Sequence, residues 1–275
     1  MISSAGCDKK DDFLVTFHTR YGDMKAILYD GTPGHKANFL KLARQGYYDS
    51  TVFHRVIQDF MIQGGDVTTK KGADRSDKEL NKLLRSTIPA EFNEKYYHKK
   101  GALAAARQGD RVNPDQESSA CQFYIVQGKK FNEQVLRTDM EKLNANLKNF
   151  LQLGSNQRIR NELLELYEQG DFVGYQQRLV SLKADMEKDL DIDLDQSISP
   201  ERFRAYSTEG GVPHLDDTYT VFGEVIEGLN VVDSIAAQPT RGEKPVNPVY
   251  VTVDIKEMPR NKITKLYGYE YPEEE

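Results

Sequence analysis

The stretch FHRVIQDFMIQGGD, residues 53–66, places polar side chains inside an apolar run. It offers no nucleophile, no acid–base pair and no metal-ligand spacing, so bond-breaking chemistry is not expected of it. Arg55 is its only Arg, and a guanidinium donates several hydrogen bonds from a rigid fork. Phe60 and Met61 are apolar, and Gln63 adds an amide. Taken alone, these residues leave open what chemistry the stretch could perform.

The elements around this stretch follow from periodicity. From Phe13 to Asp30 apolar and polar residues alternate on both sides of RYGD, which predicts a β-hairpin. HKANFLKLARQG repeats apolar residues at helical spacing, and Gly46 is placed to end that helix. Residues 51–57 and 60–63 predict strands, and the glycines of QGGD predict a turn that uses positive φ.

The rest of the β pattern is spread over both halves of the chain. SDKELNKLLRS predicts a short helix capped by Ser76 or Asp77, with Glu79 near the third position of the cap. GALAAAR, SACQFYIVQ and PVYVTVDIKEM predict strands, and YTVFGEVIEGLNVVDSIA predicts a strand, a turn and a short helix. This mainly β composition with a few helices favours a closed antiparallel sheet that is capped at its ends.

Residues 132–210 have a helical period instead. Their apolar residues recur at steps of one, three and four in three stripes: Val135, Leu136, Met140, Leu143, Leu147, Phe150 and Leu151; Ile159, Leu163, Leu164 and Tyr167; and Phe172, Leu179, Leu182, Met186 and Leu190. The first stripe predicts about five turns of amphipathic helix just after Phe131. SPERFRAY begins with a helix N-terminal signature. Because the β pattern resumes afterwards, the block is predicted to be a helical insertion.

Composition limits the partners. The chain has 275 residues, a formal charge of −6 and 38% apolar residues, which suffices for a packed globular core. No basic field is present to bind phosphate backbones, so we expect no nucleic-acid partner. No apolar run reaches the roughly 20 residues that span a bilayer, and the folded part is therefore expected in water.

The N-terminal sequence MISSAGCDKKDD raises the question of a membrane tether. SAGC followed by charged residues is similar to the end of a bacterial lipoprotein signal, in which the Cys, here Cys7, is acylated. The charged and apolar regions of such a signal are absent, and Ser4 stands where Leu is usual. Acylation would hold the protein at the cell envelope, on the periplasmic or the outer side. The alternative is an accidental Cys in a disordered tail, which leaves a cytoplasmic location open.

Four segments in order resemble the cyclophilin family of peptidyl-prolyl cis–trans isomerases: NFLKLARQGYYDSTVFHRVIQDFMIQGGD, GALAAAR, SACQFYIVQ and HLDDTYTVFGEV. The resemblance covers residues 13–131 and 211–258. It implies an eight-stranded antiparallel closed barrel, capped by helices, with a substrate groove on its outer wall. The remaining segments are then a flexible tether over 1–12, the helical insertion over 132–210 and a C-terminal tail over 259–275.

The resemblance also implies an activity and its residues. The reaction rotates X-Pro bonds in proline-containing peptides and in unfolded or folding proteins, and it uses neither a cofactor nor a metal. The implied roles are these: Arg55 donates to the prolyl nitrogen; Phe60, Met61, Tyr124 and Leu215 line the proline pocket; Gln63 and Gln122 hold the peptide backbone and Arg55; Ala106 and Arg107 match the segment that pairs with the substrate backbone; Tyr219 and His214 lie at the pocket rim. Without the motif, Phe60 and Met61 would be read as core residues and Arg55 as a surface ion-pair residue.

Several other residues receive structural roles. Cys121 is predicted to be a buried strand thiol, since no neighbouring His is available in sequence to activate it and the family chemistry needs none. The remaining histidines outside the pocket show no ligand spacing and are expected to serve packing and surface roles: His18, His35, His54 and His98.

Two positions depart from the best-known family pattern. The chain has no Trp, and His214 stands where drug-sensitive members have the Trp that contacts cyclosporin. Tyr219 replaces the His of those members. Both changes resemble bacterial members and leave the pocket aromatic and partly apolar. We therefore expect isomerase activity with weak cyclosporin binding.

The insertion and the activity each leave two hypotheses. The insertion leaves the β pattern at Phe131 and returns at Gly210–Gly211, four residues before His214, so it is predicted to lie beside the groove. It either extends the groove as a cradle for unfolded clients or is a decoration whose apolar stripes bury one another. The protein is either an active isomerase or a holding chaperone that uses the same groove without significant catalysis. Retention of Arg55, Phe60 and Gln63 favours the isomerase.

Overall fold

The computed structural model describes residues 10–272 and is mainly β with helices. The chain divides into two compact units. The first runs up to Lys129 and resumes at Glu209, and the second comprises Lys130–Thr208. Cys7, the predicted acylation site, lies outside the described residues. Within the predicted tether, Asp11 already begins the first strand.

The first unit contains the strands of the described chain. They are β1 (Asp11–Thr19), β2 (Gly22–Leu28), β3 (Thr51–Val52), β4 (Arg55–Ile57), β5 (Met61–Gly64), β6 (Thr87–Ile88), β7 (Ala102–Ala105), β8 (Ser118–Ser119), β9 (Phe123–Val126), β10 (Val221–Glu227), β11 (Thr240–Arg241), β12 (Lys244–Pro245) and β13 (Tyr250–Pro259). The predicted hairpin is confirmed as β1 and β2, which pair antiparallel from Leu14 opposite Ile27 to Thr19 opposite Gly22.

The helices fall in both units. They are α1 (Pro33–Arg44), α2 (Lys78–Arg85), α3 (Glu133–Leu136), α4 (Met140–Gln152), α5 (Gln157–Glu168), α6 (Phe172–Ser181), α7 (Lys183–Leu190), α8 (Pro200–Thr208), α9 (Leu229–Ala236) and α10 (Arg260–Tyr267). The described helices include none that is long and apolar enough to cross a bilayer. The predicted helix at 35–46 is confirmed, and Gly46 adopts a φ of +69° just beyond its end.

The main sheet differs from the closed eight-stranded barrel that the resemblance implied. Within the described chain it has nine antiparallel strands in the order β3-β13-β1-β2-β10-β7-β9-β5-β4, and its ladder is open between β3 and β4. The predicted strand over 51–57 breaks at Phe53 and His54. On one side β3 pairs with β13, and on the other β4 pairs with β5, so one continuous segment supplies both sheet edges. The sheet is therefore a curled, open half-barrel.

The core of the first unit lies inside this curl. Phe17 of β1, Phe39 of α1 and Phe123 of β9 are buried and meet at ring-centroid distances of 5.5–6.1 Å. The turn after β5 depends on Gly65, which adopts a φ of +80° and whose Cβ, if present, would lie 2.2 Å from the carbonyl oxygen of Cys121. The sequence QGGD thus sets the direction in which β5 ends.

The predicted C-terminal tail is partly a structural element. Residues 259–275 contain α10, and its Ile263 is fully buried. It joins Leu14 and Ile27 in an apolar cluster of the first unit. This end of the chain is therefore packed against the sheet.

The second unit has its own core. Seven residues from its helices, from the junction of α6 and α7 and from the loop that follows α7 bury one another: Leu143, Phe150, Leu163, Leu179, Leu182, Met186 and Leu194. The predicted single helix of about five turns is wrong, because α3 ends at Leu136 and α4 begins at Met140. Asp139 donates its backbone N–H to Leu194, and the Arg137 carbonyl accepts from Gln196, which diverts the backbone between the two helices.

The two crossing points between the units are hydrogen-bonded on each side. In the first unit, Lys129 and Gly211 exchange backbone hydrogen bonds of 3.3 and 3.0 Å. In the second unit, the Phe131 N–H donates to the Tyr206 carbonyl at 3.0 Å. The chain therefore leaves and re-enters the first unit at one place, and the ends of the second unit are likewise tied together.

Candidate active site

A polar network lies on the strands at the β4 edge of the sheet. Arg55 on β4 and Gln63 on β5 are register partners, and the Arg55 Nη1 donates to the Gln63 Oε1 at 3.4 Å. The Gln63 Nε2 donates in turn to the Gln122 Oε1 at 2.9 Å. The antiparallel register therefore brings together three predicted site residues from distant parts of the sequence.

Glu243 completes this network from the turn between β11 and β12. Its carboxylate accepts from the Arg55 Nε at 2.5 Å and from the Arg55 Nη2 at 3.3 Å. The hydrogen bond from Arg55 lowers the pKa of Glu243 below its usual value. The polar network thus comprises Arg55, Gln63, Gln122 and Glu243.

The apolar side chains predicted for the proline pocket also come together. They belong to a second cluster of the first unit, separate from the main core, which we call the pocket cluster: Phe60, Met61, Ala106, Tyr124, Leu215 and Tyr219, with Ala102, Ala104, Val126, Val212 and Val221 among the residues packed around them. Met61 and Tyr124 are buried, whereas Phe60, Leu215 and Tyr219 are half-exposed. The buried members form a floor and the half-exposed members form its rim.

The turn between β4 and β5 positions Phe60 at this rim. Asp59 adopts a φ of +62°, a conformation that Asp tolerates better than most residues. The Phe60 carbonyl accepts hydrogen bonds from the backbone N–H groups of Gln127 and Gly128, both at 3.0 Å. His214 stacks on the Phe60 ring with centroids 5.8 Å apart, and burial is the main cause that lowers the pKa of His214. This part of the rim is therefore a stacked pair of aromatic rings.

A buried hydrogen-bond chain supports the floor. The His98 Nδ1 lies 2.9 Å from the Asp216 Oδ1, and the His98 Nε2 lies 2.8 Å from the Tyr124 hydroxyl. Because a carboxylate only accepts, Nδ1 carries a proton, and Nε2 forms the second hydrogen bond of the ring with the Tyr124 hydroxyl. His98 therefore links the pocket floor to the loop that carries His214.

The segment around Arg107 only partly fits its predicted role. The Ala106 N–H donates to the Gln122 carbonyl at 3.0 Å, and its carbonyl accepts from Ser119 at 2.7 Å, so both of its backbone groups have partners inside the protein. The Arg107 side chain is 5% exposed and donates to the Thr218 carbonyl, while its guanidinium lies 4.3 Å from the centre of the Tyr219 ring. Among the described residues, only the Arg107 backbone has no partner in this segment.

The polar network and the pocket cluster adjoin along β5. Met61 and Gln63 are two residues apart on that strand, and Gln63 pairs in register with Tyr124. A cavity of about 290 Å³ opens beside them and is lined in part by Gln63, Gln122 and Arg107. Arg55 and the apolar pocket residues that the resemblance implied are therefore neighbours in space.

The other residues singled out in the sequence lie outside this arrangement. Cys121 is buried, as predicted, but lies in the bend between β8 and β9, and burial raises the pKa of its thiol to about 11. His35 is buried against Glu91, and His18 is an exposed partner of Asp23. In the second unit, Glu187, Asp193 and Asp195 form an acidic group that faces Lys183. Lys183 balances part of this acidic charge.

Sequence reasoning missed Glu243 and understated His98. Glu243 follows the site motif by about 190 residues and sits in a turn, so no periodic or spacing signal connects it to Arg55. His98 was expected to serve packing or the surface, and it is completely buried with two specific partners. The only feature of the sequence that bears on this role of His98 is Asp216 in HLDDTY. Its relevance becomes clear only when the structure shows His98 hydrogen-bonded to both Asp216 and Tyr124.

The first unit is thus a curled antiparallel sheet in which Arg55 lies beside an apolar pocket. The chain matches the family model for "Cyclophilin type peptidyl-prolyl cis-trans isomerase/CLD" over residues 14–157 and 186–255. This match covers most of the chain, and the protein therefore belongs to the family of cyclophilin-type peptidyl-prolyl cis–trans isomerases.

Curated relatives and a solved structure agree with this family. A Staphylococcus epidermidis protein with the provisional name peptidyl-prolyl cis–trans isomerase is 29% identical over 250 residues, which cover 90% of this chain and 93% of the relative. A Streptococcus pyogenes protein, provisionally named a bifunctional phosphatase/peptidyl-prolyl cis–trans isomerase, is 30% identical over 88% of this chain, and the chain spans only 38% of its length. The crystal structure of a Cryptosporidium parvum cyclophilin type peptidyl-prolyl cis–trans isomerase has the same fold, with a TM-score of 0.50 and 18% identity, covering 91% of this chain and all of that one.

Proposed function

We propose that this protein accelerates rotation about X-Pro bonds in peptides and folding proteins, with Arg55 donating a hydrogen bond to the prolyl nitrogen. The barrier arises from amide resonance and amounts to roughly 18–20 kcal/mol, whereas the cis and trans forms differ by only about 0.5–1 kcal/mol. The catalyst must therefore stabilise a twisted amide and has no bond to break. This explains why the site contains a donor and no nucleophile.

Arg55 suits the donor role because of what rotation does to the nitrogen. As conjugation is lost, the nitrogen lone pair becomes a hydrogen-bond acceptor, which it is not in either planar ground state. A donor aimed there stabilises the transition state selectively. The Arg55 side chain is 38% exposed, so a substrate can reach it.

The pocket cluster supplies the second half of the catalysis. Phe60, Met61, Tyr124 and Leu215 would surround the proline ring and exclude water from the amide. Planar amides separate charge more than the twisted form, and water favours that separation. An apolar seat therefore disfavours the ground states relative to the transition state.

One observation carries the proposal: the Arg55–Gln63–Gln122 network lies directly beside the pocket cluster because Gln63 pairs with both Arg55 and Tyr124 across β4, β5 and β9. A protein that only held peptides would have no need of a cation placed at a prolyl nitrogen. This placement favours the isomerase over the holding protein.

The test is proline-isomer exchange on a short Ala-Pro peptide, measured by NMR line shapes or exchange spectroscopy. Uncatalysed rotation takes about 10–100 s at 25 °C, so acceleration is readily visible. We expect Arg55→Ala to lower kcat/KM by roughly 10²–10³, the usual effect of removing one transition-state donor. Arg44→Ala, on α1 and with no part in the polar network, is the matched control. A wild type no faster than Arg55→Ala would contradict the proposed mechanism.

A second function, holding unfolded clients, is favoured by an observation in the second unit. Although most of its apolar residues are buried, four neighbours on α5 and α6 are exposed, and we call them the exposed patch: Leu164, Tyr167, Phe172 and Val173. Tyr167 and Phe172 are in edge-on contact, with ring centroids 5.9 Å apart. Contiguous exposed aromatic side chains are unusual on a monomer and are typical of surfaces that bind apolar segments.

Point substitutions in the intact 275-residue chain separate this function from catalysis. With Tyr167→Ser and Phe172→Ser combined, we expect suppression of client aggregation to weaken while turnover of the Ala-Pro peptide stays at the wild-type rate. Substitution by Ser at the exposed positions Tyr250 and Leu266 of the first unit is the control. If aggregation is suppressed equally by all three proteins, the exposed patch holds no clients and the second unit is a self-packed decoration.

Envelope clients would follow from acylation of Cys7, which rests on the sequence SAGC alone. Mass spectrometry of the N-terminal peptide from the native host would show a diacylglyceryl mass on Cys7, and Cys7→Ser would release the protein from the membrane fraction. Recovery of the protein in the soluble fraction with an unmodified Cys7 would contradict the proposal that its clients are proteins of the cell envelope.

A further inference from the structure

The guanidinium of Arg55 is held along two of its edges. Its Nε and Nη2 face the Glu243 carboxylate, and its Nη1 donates to Gln63. A guanidinium has five N–H groups, and these contacts use three of them. Among the described residues the other two, one on each terminal nitrogen, have no acceptor. Because Glu243 takes the Nη2 hydrogen on the Nε side, the free Nη2 hydrogen lies on the terminal edge of the planar group.

The backbone places Glu243 beside Arg55. The short strands β11 and β12 pair through Thr240 with Pro245 and Arg241 with Lys244. Gly242 in the turn between them adopts a φ of +63°, which a residue with a side chain rarely adopts. The Val56 N–H donates to the Glu243 carbonyl at 2.7 Å, which anchors the turn to β4 directly after Arg55.

We propose that Glu243 is a positioning residue of the isomerase, which fixes the plane of the Arg55 guanidinium so that its terminal edge faces the substrate. This inference rests on the proposed role of Arg55. A bidentate carboxylate–guanidinium pair fixes both distance and plane, which a single contact cannot do. Gln63 alone, at 3.4 Å, would leave the long side chain free to rotate among its rotamers.

Orientation is what the reaction requires of this donor. The prolyl nitrogen accepts only while the amide is twisted, and its lone pair then points in one direction. A donor that already points along this direction needs no rearrangement when the amide twists. Small displacements of a reacting group lower the rate by large factors. Since the Arg55–Glu243 pair is exposed, it is expected to add little to fold stability. Loss of Glu243 should therefore lower turnover and leave stability unchanged.

The test is a double-mutant cycle with kinetics on the Ala-Pro peptide. In the wild-type background, Glu243→Ala is expected to lower kcat roughly tenfold, with KM changed less than about twofold, because the donor is misaligned while the proline pocket is intact. Glu243→Gln keeps an acceptor oxygen for the Arg55 Nε and is expected to recover part of the loss. In an Arg55→Ala background, Glu243→Ala should have no further effect, because nothing remains to be positioned.

A matched surface ion pair serves as the control. Lys25 and Glu227 join β2 and β10 at 2.6 Å with similar exposure, away from the polar network. Glu227→Ala should leave kcat at the wild-type value, and thermal unfolding should show that every variant is folded. Wild-type kcat in Glu243→Ala, a raised kcat, or an equal loss in both backgrounds would each overturn the inference. If Arg55→Ala itself retains the wild-type rate, the proposed function fails first, and the two failures are thereby distinguished.

Discussion

The two units are specified by their sequences in different ways. In the first unit, Arg55, Gln63 and Tyr124 meet because three strands pair in one register, and a shift by one residue would turn each side chain to the other face. In the second unit, the buried residues follow helical spacing, and neighbouring turns offer near-equivalent partners. The comparison teaches that the sheet unit can hold a placed donor, whereas the helical unit is suited to a surface that need only be apolar.

The largest expected effect concerns the separate core of the second unit. Phe150 is fully buried there, and Phe150→Ala should lower the free energy of unfolding of that unit by about 3–5 kcal/mol. Phe172 in the same unit is 63% exposed, and Phe172→Ala should change it by less than about 0.5 kcal/mol. Hydrogen exchange with denaturant titration would measure both. Equal effects of the two substitutions on the free energy of unfolding would contradict the conclusion that the second unit has its own core.

The next effect concerns the buried hydrogen bonds of the first unit. Tyr124→Phe removes the hydroxyl that is hydrogen-bonded to the His98 Nε2 and leaves that buried nitrogen unpaired, at a cost of about 1–3 kcal/mol in unfolding free energy. Tyr219→Phe removes a hydroxyl from the same wall that has no hydrogen-bond partner among the described residues, and it should be nearly neutral. Urea unfolding of the two variants compares them directly. A neutral Tyr124→Phe would show that the His98 chain does not stabilise the floor.

A smaller effect is expected from removing a helix N-cap, and it can be compared between the two units. Asp77 caps α2 by accepting from the Glu79 N–H at 2.8 Å, and Asp139 caps α4 by accepting from the Lys142 N–H at 2.8 Å. Each Asp→Ala change should cost about 1 kcal/mol. The predicted cap at Ser76 or Asp77 is thereby resolved in favour of Asp77. If Asp→Asn at either site costs as much as Asp→Ala, charge and not the cap hydrogen bond is the source.

Thiol chemistry gives a pH-dependent comparison. With the pKa of Cys121 raised to about 11 by burial, its thiolate fraction at pH 8 is about a hundredfold below that of an ordinary thiol. In a Cys7→Ser variant, iodoacetamide should therefore label native Cys121 slowly at pH 8, increasingly as the pH rises, and rapidly after unfolding. Fast native labelling at pH 8 would mean that the bend between β8 and β9 opens readily.

The smallest expected effect is that of cyclosporin. The resemblance places His214 at the position of the Trp that contacts the drug in sensitive family members, and in the structure His214 lies stacked on Phe60. We expect the wild type to be inhibited only weakly, and His214→Trp to bind more tightly. Nanomolar inhibition of the purified wild type would contradict this prediction.

Much of the first unit could be predicted from sequence because its signals are local. The hairpin β1–β2, helix α1 and the glycine turn after β5 follow from alternation, helical spacing and positive φ, and each is present. The break at Phe53 and His54 was not predictable, because it depends on which distant strands take each half of the segment. Likewise, the break between α3 and α4 is imposed by pairing with residues 194–196.

The candidate site shows the same division. The apolar members and Arg55 lie in recognisable motifs, and the structure brings them together. Glu243 could not be predicted from the sequence, because only the curl of the sheet brings Arg55 next to it. Ala106 was given a substrate contact, although the fold occupies both of its backbone groups. Whether a backbone group is available to a substrate depends on its hydrogen bonds within the protein, and these are known only from the tertiary structure.

The paired crossing points have a consequence for folding kinetics. Closing an unstructured loop of roughly 80 residues between Lys129 and Gly211 would cost about 4 kcal/mol of chain entropy. A second unit that folds first, with Phe131 already tied to Tyr206, shortens that loop to a few residues. Folding of the second unit during synthesis would then bring together the two parts of the sheet that precede and follow it in sequence. Unfolding of the second unit would slow assembly of the first unit.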